Sequence, residues 1–233
     1  LACFILFGSF FACLLLSTTA PLAVRAFLQN ATQPLDITVQ ANQGTVGVNA
    51  ENGPRRAVLM GEPPEAVEGV TTIQTDTTAS ALVNVMPPDG DEPLATLQIS
   101  GSATVAIEQA TAPRFGLSNQ PFQLNLNVQA GRVRVFLPFF EGRPVAVTLV
   151  TPQSRAEVAI PGRYTVEVSA EATQVTVQNE GAVVVSAQGE SLTVAPGQRV
   201  EIATGAPPRG PLDPARDLIR NGDFSQGLDN WSS

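Results

Sequence analysis

Gln123-Leu124-Asn125-Leu126-Asn127-Val128 sets an apolar residue at every second place, and Arg132-Val133-Arg134-Val135 continues the pattern further along the chain. Period two sends one set of side chains to a buried face and the other to a wet one, the mark of a half-buried β-strand. The same alternation returns in Val145-Val147-Leu149, Val166-Val168, Val175-Val177, Val183-Val185 and Leu192-Val194. Strand follows strand from Asp36 to Ile202, β-branched residues dominate, and no 12-residue window carries a 3.6-residue apolar period. Gly or Pro marks nearly every gap: Gly69, Pro87-Pro88-Asp89-Gly90, Gly101, Gly131, Pro152, Pro161-Gly162, Gly181 and Pro196-Gly197. Short strands at this spacing predict an all-β fold: a sandwich, a barrel or a solenoid-like roll.

Composition narrows the function. The chain has 233 residues and 24.4 kDa, room for one or two domains. Only 15% of residues are charged, the net charge is −8, and all 13 positive side chains are Arg. A chain this acidic is repelled by phosphate, so neither nucleic acid nor an anionic lipid surface is an expected partner. It has no His, which removes Ser–His and Cys–His catalysis, His-ligated zinc and imidazole pH sensing together.

Leu1 to Val24 carries no charged side chain, and Leu1–Leu16 is almost wholly Leu, Phe, Ala, Ile and Cys. About 20 apolar residues cross a bilayer as a helix, so residues 1–24 are expected to be a single transmembrane anchor, already under way at Leu1. A secretory signal cleaved near Ala20 or Ala26 is the alternative, giving a secreted product. In both readings Arg25–Ser233 lies outside the cytoplasm, in a periplasm or at a cell surface. Cys3 and Cys13 are ten residues apart, about 15 Å along a helix, too far to pair with each other. Leu14-Leu15-Leu16 after Cys13 is not the polar start of a lipoprotein, and the exported part contains no cysteine.

The remainder divides into a juxtamembrane linker (25–43), the all-β domain (44–204), a Pro/Gly-rich linker (205–216) and the opening of a further module (217–233). The linker is read from the run Thr204–Pro214, which has no strand pattern.

Five stretches of the β-domain carry a resemblance. They are Ile73-Gln74-Thr75-Asp76-Thr77-Thr78-Ala79-Ser80-Ala81-Leu82, Val128-Gln129-Ala130-Gly131-Arg132-Val133-Arg134-Val135 and Val150-Thr151-Pro152. The last two are Val177-Gln178-Asn179-Glu180-Gly181-Ala182-Val183-Val184-Val185 and Val194-Ala195-Pro196-Gly197-Gln198-Arg199-Val200. In this order, over about 160 residues, they resemble the FecR-like extracytoplasmic domain. One departure is Pro161-Gly162-Arg163-Tyr164, which stands where the family usually has Gly-Thr before an aromatic. Gly162 can still take an unusual backbone angle and Tyr164 can still enter the core. The resemblance implies an all-β fold with no shared catalytic residue. It also implies a relay from an outside signal, through one span, to a cytoplasmic anti-sigma segment and hence a protein partner. The last stretch, Asn221-Gly222-Asp223-Phe224 to Trp231, resembles the first strand of galactose-binding-like carbohydrate modules, which implies a glycan partner for the completed module.

Four clusters invite chemistry. Asp89-Gly90-Asp91-Glu92 offers oxygens for calcium but reads better as a turn. Glu62, Glu65 and Glu68 beside Pro63-Pro64 read as a solvated loop rather than paired acid–base carboxylates. Arg132 and Arg134 share one face of a strand and could grip a sugar acid or a partner's carboxylate, although the wet face of a surface strand is the plainer reading. Phe136-Leu137-Pro138-Phe139-Phe140 is an apolar turn, read as core packing ahead of an exposed docking patch. No catalytic, cofactor-binding or metal-binding residue is expected, and no enzyme. The expected function is a membrane-anchored extracytoplasmic regulatory or sensing module. The alternative is a cell-surface glycan-binding or scaffold protein in which the β-domain is a spacer.

Overall fold

The computed structural model describes residues 2–213 except 52, 89, 91 and 141. Helix α1 (Ala2–Asn30) comes first, 29 residues or about 43 Å at 1.5 Å per residue, with Pro21 inside it. It closes on Asn30, whose side-chain amide donates to Ala26 O at 2.8 Å while Ala31 N donates to Phe27 O. The span expected over residues 1–24 falls mostly on side chains outside the described set. Among the described residues no helix is long and apolar enough to cross a membrane.

Seventeen strands follow among the described residues. They are β1 (Thr32–Pro34), β2 (Asp36–Gln43), β3 (Thr45–Ala50), β4 (Arg55–Leu59), β5 (Glu65–Val67), β6 (Thr71–Thr75), β7 (Ser80–Met86), β8 (Ala95–Pro113) and β9 (Phe122–Leu137). Then come β10 (Val145–Val150), β11 (Arg155–Val158), β12 (Gly162–Val168), β13 (Ala172–Val177), β14 (Val183–Ala187), β15 (Glu190–Val194), β16 (Gln198–Ala203) and β17 (Arg209–Leu212). The fold is all-β after the helix. It is one continuous hydrogen-bonded sheet, open at its edges and folded over into two layers.

Strands β8 and β9 make the fold-over. Their first and last residues, 95–100 and 131–137, lie in one layer, ordered β5-β2-β7-β8-β9-β12-β13-β16-β17. Residues 104–113 and 122–130 lie in the other, ordered β4-β3-β6-β8-β9-β10-β11-β14-β15, with β1 also paired to the end of β8. Every described pairing is antiparallel except β9 with β10. The inward residues of both layers feed one core, including Leu97, Ile99, Val133 and Val135 from the first and Ile73, Ile107, Leu126 and Leu149 from the second. The alternation in the sequence is therefore the inside–outside alternation of this sheet.

Gly101 and Gly131, expected at gaps between strands, are instead bends inside β8 and β9. Between the pairs Ser100↔Arg132 and Thr104↔Ala130, three residues of β8 face one of β9, a bulge that swings both strands into the second layer. Gly101 (φ 74°), Ser102 (φ 54°) and Gly131 (φ 88°) take left-handed backbone there. A Cβ on Gly131 would lie 2.8 Å from Ala103 N and closer still to its Cα and Cβ, so the crossing has no room for any other residue. The turn from β6 to β7 braces the bend from outside: Ser102 N donates to Asp76 O, and Ala103 N donates to the Thr75 hydroxyl at 3.1 Å. The Asp76 carboxylate in turn accepts from Thr78 N, the Thr78 hydroxyl and Ala79 N. These bonds hold its pKa below 3.8.

Two boundaries differ from the sequence reading. Residues 32–43, expected in a linker, form β1 and β2, because Ile37 and Val39 pack into the core and β2 pairs with β5 and β7. Residues 209–212, also expected in a linker, pair with β16 as β17. Residues 214–233, and with them the expected carbohydrate-module opening, lie outside the described residues.

Gly131→Ala should lower stability by about 3 kcal/mol, combining overpacking with a left-handed Cβ, as measured by chemical denaturation followed by circular dichroism. Asp76→Asn should lose stability at neutral pH. Because the folded-state pKa is depressed, the wild-type advantage is present above 3.8 and fades as pH falls through the folded value, so the two proteins should converge in acid. Denaturation curves at several pH values check this.

Candidate binding face

The outer face of the first layer is built by residues that alternate with its core. Val133, Val135 and Leu137 point inward from β9, so Arg132, Arg134 and Phe136 point outward. Register then sets their neighbours. Phe136 lies between Thr96 and Arg163, Arg134 between Gln98 and Thr165, and Arg132 between Ser100 and Glu167. Strands β8, β9 and β12 each have a partner on both sides, so their backbone groups are spent and side chains alone can meet a ligand.

Arg132 and Arg134, paired in the sequence reading, have separate fates. Arg132 Nε donates to Glu167 Oε1 at 2.8 Å and is neutralised within the chain. Arg134 reaches only the Gln98 amide oxygen, at 3.4 Å. Its companion is Arg163, whose guanidinium carbon stands 5.3 Å above the centre of the Phe136 ring. Arg163 was not singled out by sequence reasoning. Its alternation with buried Tyr164 signalled that it points outward, but its place beside Phe136 needs the β9–β12 register. Leu82, Thr96, Gln98, Arg134, Phe136 and Arg163 surround a shallow groove of about 310 Å³ that no described carboxylate lines.

The apolar turn 136–140 is split rather than wholly packed. Leu137 is buried and Phe140 sits edge-on to Phe122, ring centres 6.1 Å apart, while Phe136 and Phe139 are 42% and 78% exposed. Core packing thus holds for Leu137 and Phe140, while Phe136 and Phe139 are left exposed. Phe139 borders a second hollow shared with Arg163, Asn179 and Glu180.

Tyr164 fixes the position of Arg163. Its ring is buried, and its hydroxyl donates to Ile160 O at 2.6 Å and accepts from Ala182 N at 3.1 Å. Burial pushes its pKa above 10.0. Gly181 lies against that hydroxyl with no space for a Cβ, and Gly162 lies equally close to Glu180 O. The motif departure at Pro161–Tyr164 therefore keeps both of its structural roles.

The loop 138–144 leaves this face and reaches the end of α1. Arg143 Nη1 donates to Gln120 O at 2.8 Å, and Gln120 Nε2 donates to Asn30 Oδ1 at 2.9 Å. Beside them the Ser118 hydroxyl donates to Gln29 O at 2.6 Å, and the Phe115 ring meets Phe27 at 6.0 Å. The loop between β8 and β9 thus clamps the helix terminus.

Glu65 pairs with Arg56 and Glu62 accepts from Leu59 N at 2.9 Å, while Glu65 and Glu68 border one hollow that Glu62 does not line. Glu65 lies in β5 rather than in a loop. Asp89 and Asp91 lie outside the described residues, and among the described ones no three His, Cys, Asp or Glu side chains are placed to hold a metal.

No protein-family model matches the chain, and no curated protein does. The chain is similar to two crystal structures, each of a candidate anti-sigma factor from Parabacteroides distasonis. The first is 18% identical with a TM-score of 0.45, over 68% of this chain and 65% of that one. The second is 16% identical with a TM-score of 0.43, over 59% of this chain and 57% of that one. The match thus spans less than two thirds of either solved chain.

Tyr164 is the only tyrosine in the chain, so its ionisation can be read alone. Absorbance at 295 nm should show less than half of the tyrosine ionised at pH 10 in the folded protein, and more on unfolding. The stability that the neutral phenol contributes is complete below pH 10.0 and should be lost as pH rises through the folded-state value, which pH-dependent denaturation measures.

Proposed function

We propose that this chain is a membrane-tethered, extracytoplasmic regulatory module that reads a signal on the outer face around Arg134, Phe136 and Arg163 and passes it to α1. The observation that carries the reading is the connection from face to helix. Loop 138–144 begins beside Phe136, exposes Phe139 and ends in the hydrogen-bonded path Arg143–Gln120–Asn30. A ligand that displaces Phe139 pulls on the loop whose Arg143 bonds to Gln120 of the neighbouring loop, the one that clamps the helix terminus. The five FecR-like stretches support a sensing role, and the uncharged run Leu1–Val24 supports the tether. The module works by binding, for which the face offers guanidinium, amide, hydroxyl and aromatic groups.

Two experiments test this reading. Expressed with an initiating Met, the chain should sediment with membranes, resist carbonate extraction and be digested by protease added outside the inner membrane. Recovery in the soluble cytoplasmic fraction would overturn the tether. Ser118→Ala/Gln120→Ala should speed hydrogen exchange at Ala31 and Arg114, whose amides bond to Phe27 O and Ala31 O at the clamp, and leave the core strands unchanged. Unchanged exchange there would mean that the clamp does not hold the helix.

A further inference from the structure

Three of the arginines on the strands are neutralised by carboxylates of the same chain: Arg56 by Glu65, Arg132 by Glu167 and Arg155 by Glu157. Arg55, Arg199, Arg209, Arg134 and Arg163 are not, and of these Arg134 and Arg163 line one groove. Among the described residues neither has a carboxylate within ion-pair distance, and the groove between them is lined by none. In a chain of net charge −8, two adjacent guanidiniums that no carboxylate of the described residues neutralises form a local positive site whose complement is an anion supplied from outside. The half-exposed ring of Phe136 adds flat apolar surface. Thr96, Gln98 and Gln178 add hydroxyl and amide groups that both donate and accept.

Two features choose among anions. Guanidinium forks match planar carboxylates, and the surrounding ring, amide and hydroxyl groups match a ligand with C–H faces and many hydroxyls. A peptide that adds as a further strand, by contrast, needs a free backbone edge. The strands under this face have none, because β8, β9 and β12 are each paired on both sides. We infer that the groove between Arg134 and Arg163 binds a carboxylated oligosaccharide, each guanidinium engaging a carboxylate and Phe136 stacking against a sugar ring. This deepens the sensing reading above by naming the class of its ligand, and it rests on that reading only for the consequence of binding.

Calorimetric titration of the full chain in detergent micelles, with EDTA present, tests the inference. Oligogalacturonate is the probe, its carboxyl-reduced neutral counterpart and poly-glutamate the comparisons. Oligogalacturonate should bind, with affinity falling as salt rises. The neutral sugar should bind at least roughly tenfold more weakly, as should Arg134→Gln and Arg163→Gln toward oligogalacturonate. Arg155→Gln, on the opposite layer, should bind as wild type does. All three variants change exposed side chains, and equal melting temperatures confirm intact folds. No binding of oligogalacturonate, equal binding of the neutral sugar, tighter binding of poly-glutamate, or Arg134 and Arg163 variants that bind unchanged would each overturn the assignment. The result is separable from the tether: a chain that stays out of membranes yet binds the acidic sugar through these arginines leaves the ligand assignment standing.

Discussion

Where Gly131 crosses Ala103 there is no space for a side chain, and the two-layered form of the protein follows from that crossing. β8 and β9 are long enough to serve both layers because their ladder is bent rather than broken. Three residues of one strand face one of the other, and only Gly can sit at the inside of the bend. The turn at Asp76 buttresses the outside through Ser102 and Ala103. With the hairpin folded over, β7, β12 and β13 extend one layer while β6, β10 and β11 extend the other, and a single core fills the space between. The fold-over also separates two ends of one hairpin, the outer face near Phe136 and the helix clamp at Ser118, which loop 138–144 then reconnects.

The five stretches singled out in the sequence have structural roles in this architecture. Asp76 closes the buttressing turn, and Gly131 permits the bend. In Val150-Thr151-Pro152, the Thr151 hydroxyl accepts from Ser154 N at 2.9 Å and from the Thr173 hydroxyl at 3.0 Å, joining a tight turn to β13. Gly181 admits the Tyr164 hydroxyl, and Gly197 N donates to Val177 O and Gln178 O, tying β15 and β16 back to β13. Each motif is a place where the backbone must turn or approach another chain segment. Arg134, Arg163 and Phe139 are set on that frame by strand alternation and loop geometry.

Strand content and facing were legible in the sequence because period two reports burial directly: Leu124, Leu126 and Val128 are all in the core, and Arg132 and Arg134 are both outside. The sequence could not show which strands become neighbours. Gly101 and Gly131 look like turn glycines locally, and only the ladder on either side shows that the strands continue through them. The alternation of Ile37, Val39 and Ala41 was visible, but the domain boundary drawn at residue 44 left β1 and β2 outside it, because their partners lie far along the chain. The candidate face was half visible. Arg134 was in view, but its choice over Arg132 depends on Glu167, and its pairing with Arg163 depends on the β9–β12 register. Both are contacts between residues about 30 positions apart, beyond the reach of local pattern.

The central claim is that one face and one helix end are mechanically joined through loop 138–144. Hydrogen exchange of the full chain in lipid nanodiscs, with and without saturating oligogalacturonate, tests it most directly. The account predicts protection at Arg134–Phe136 and at Arg163, together with altered exchange across loop 138–144, residues 114–121 and the helix terminus at residues 29–31. Protection confined to the face, with the loop and helix end unchanged, would contradict it.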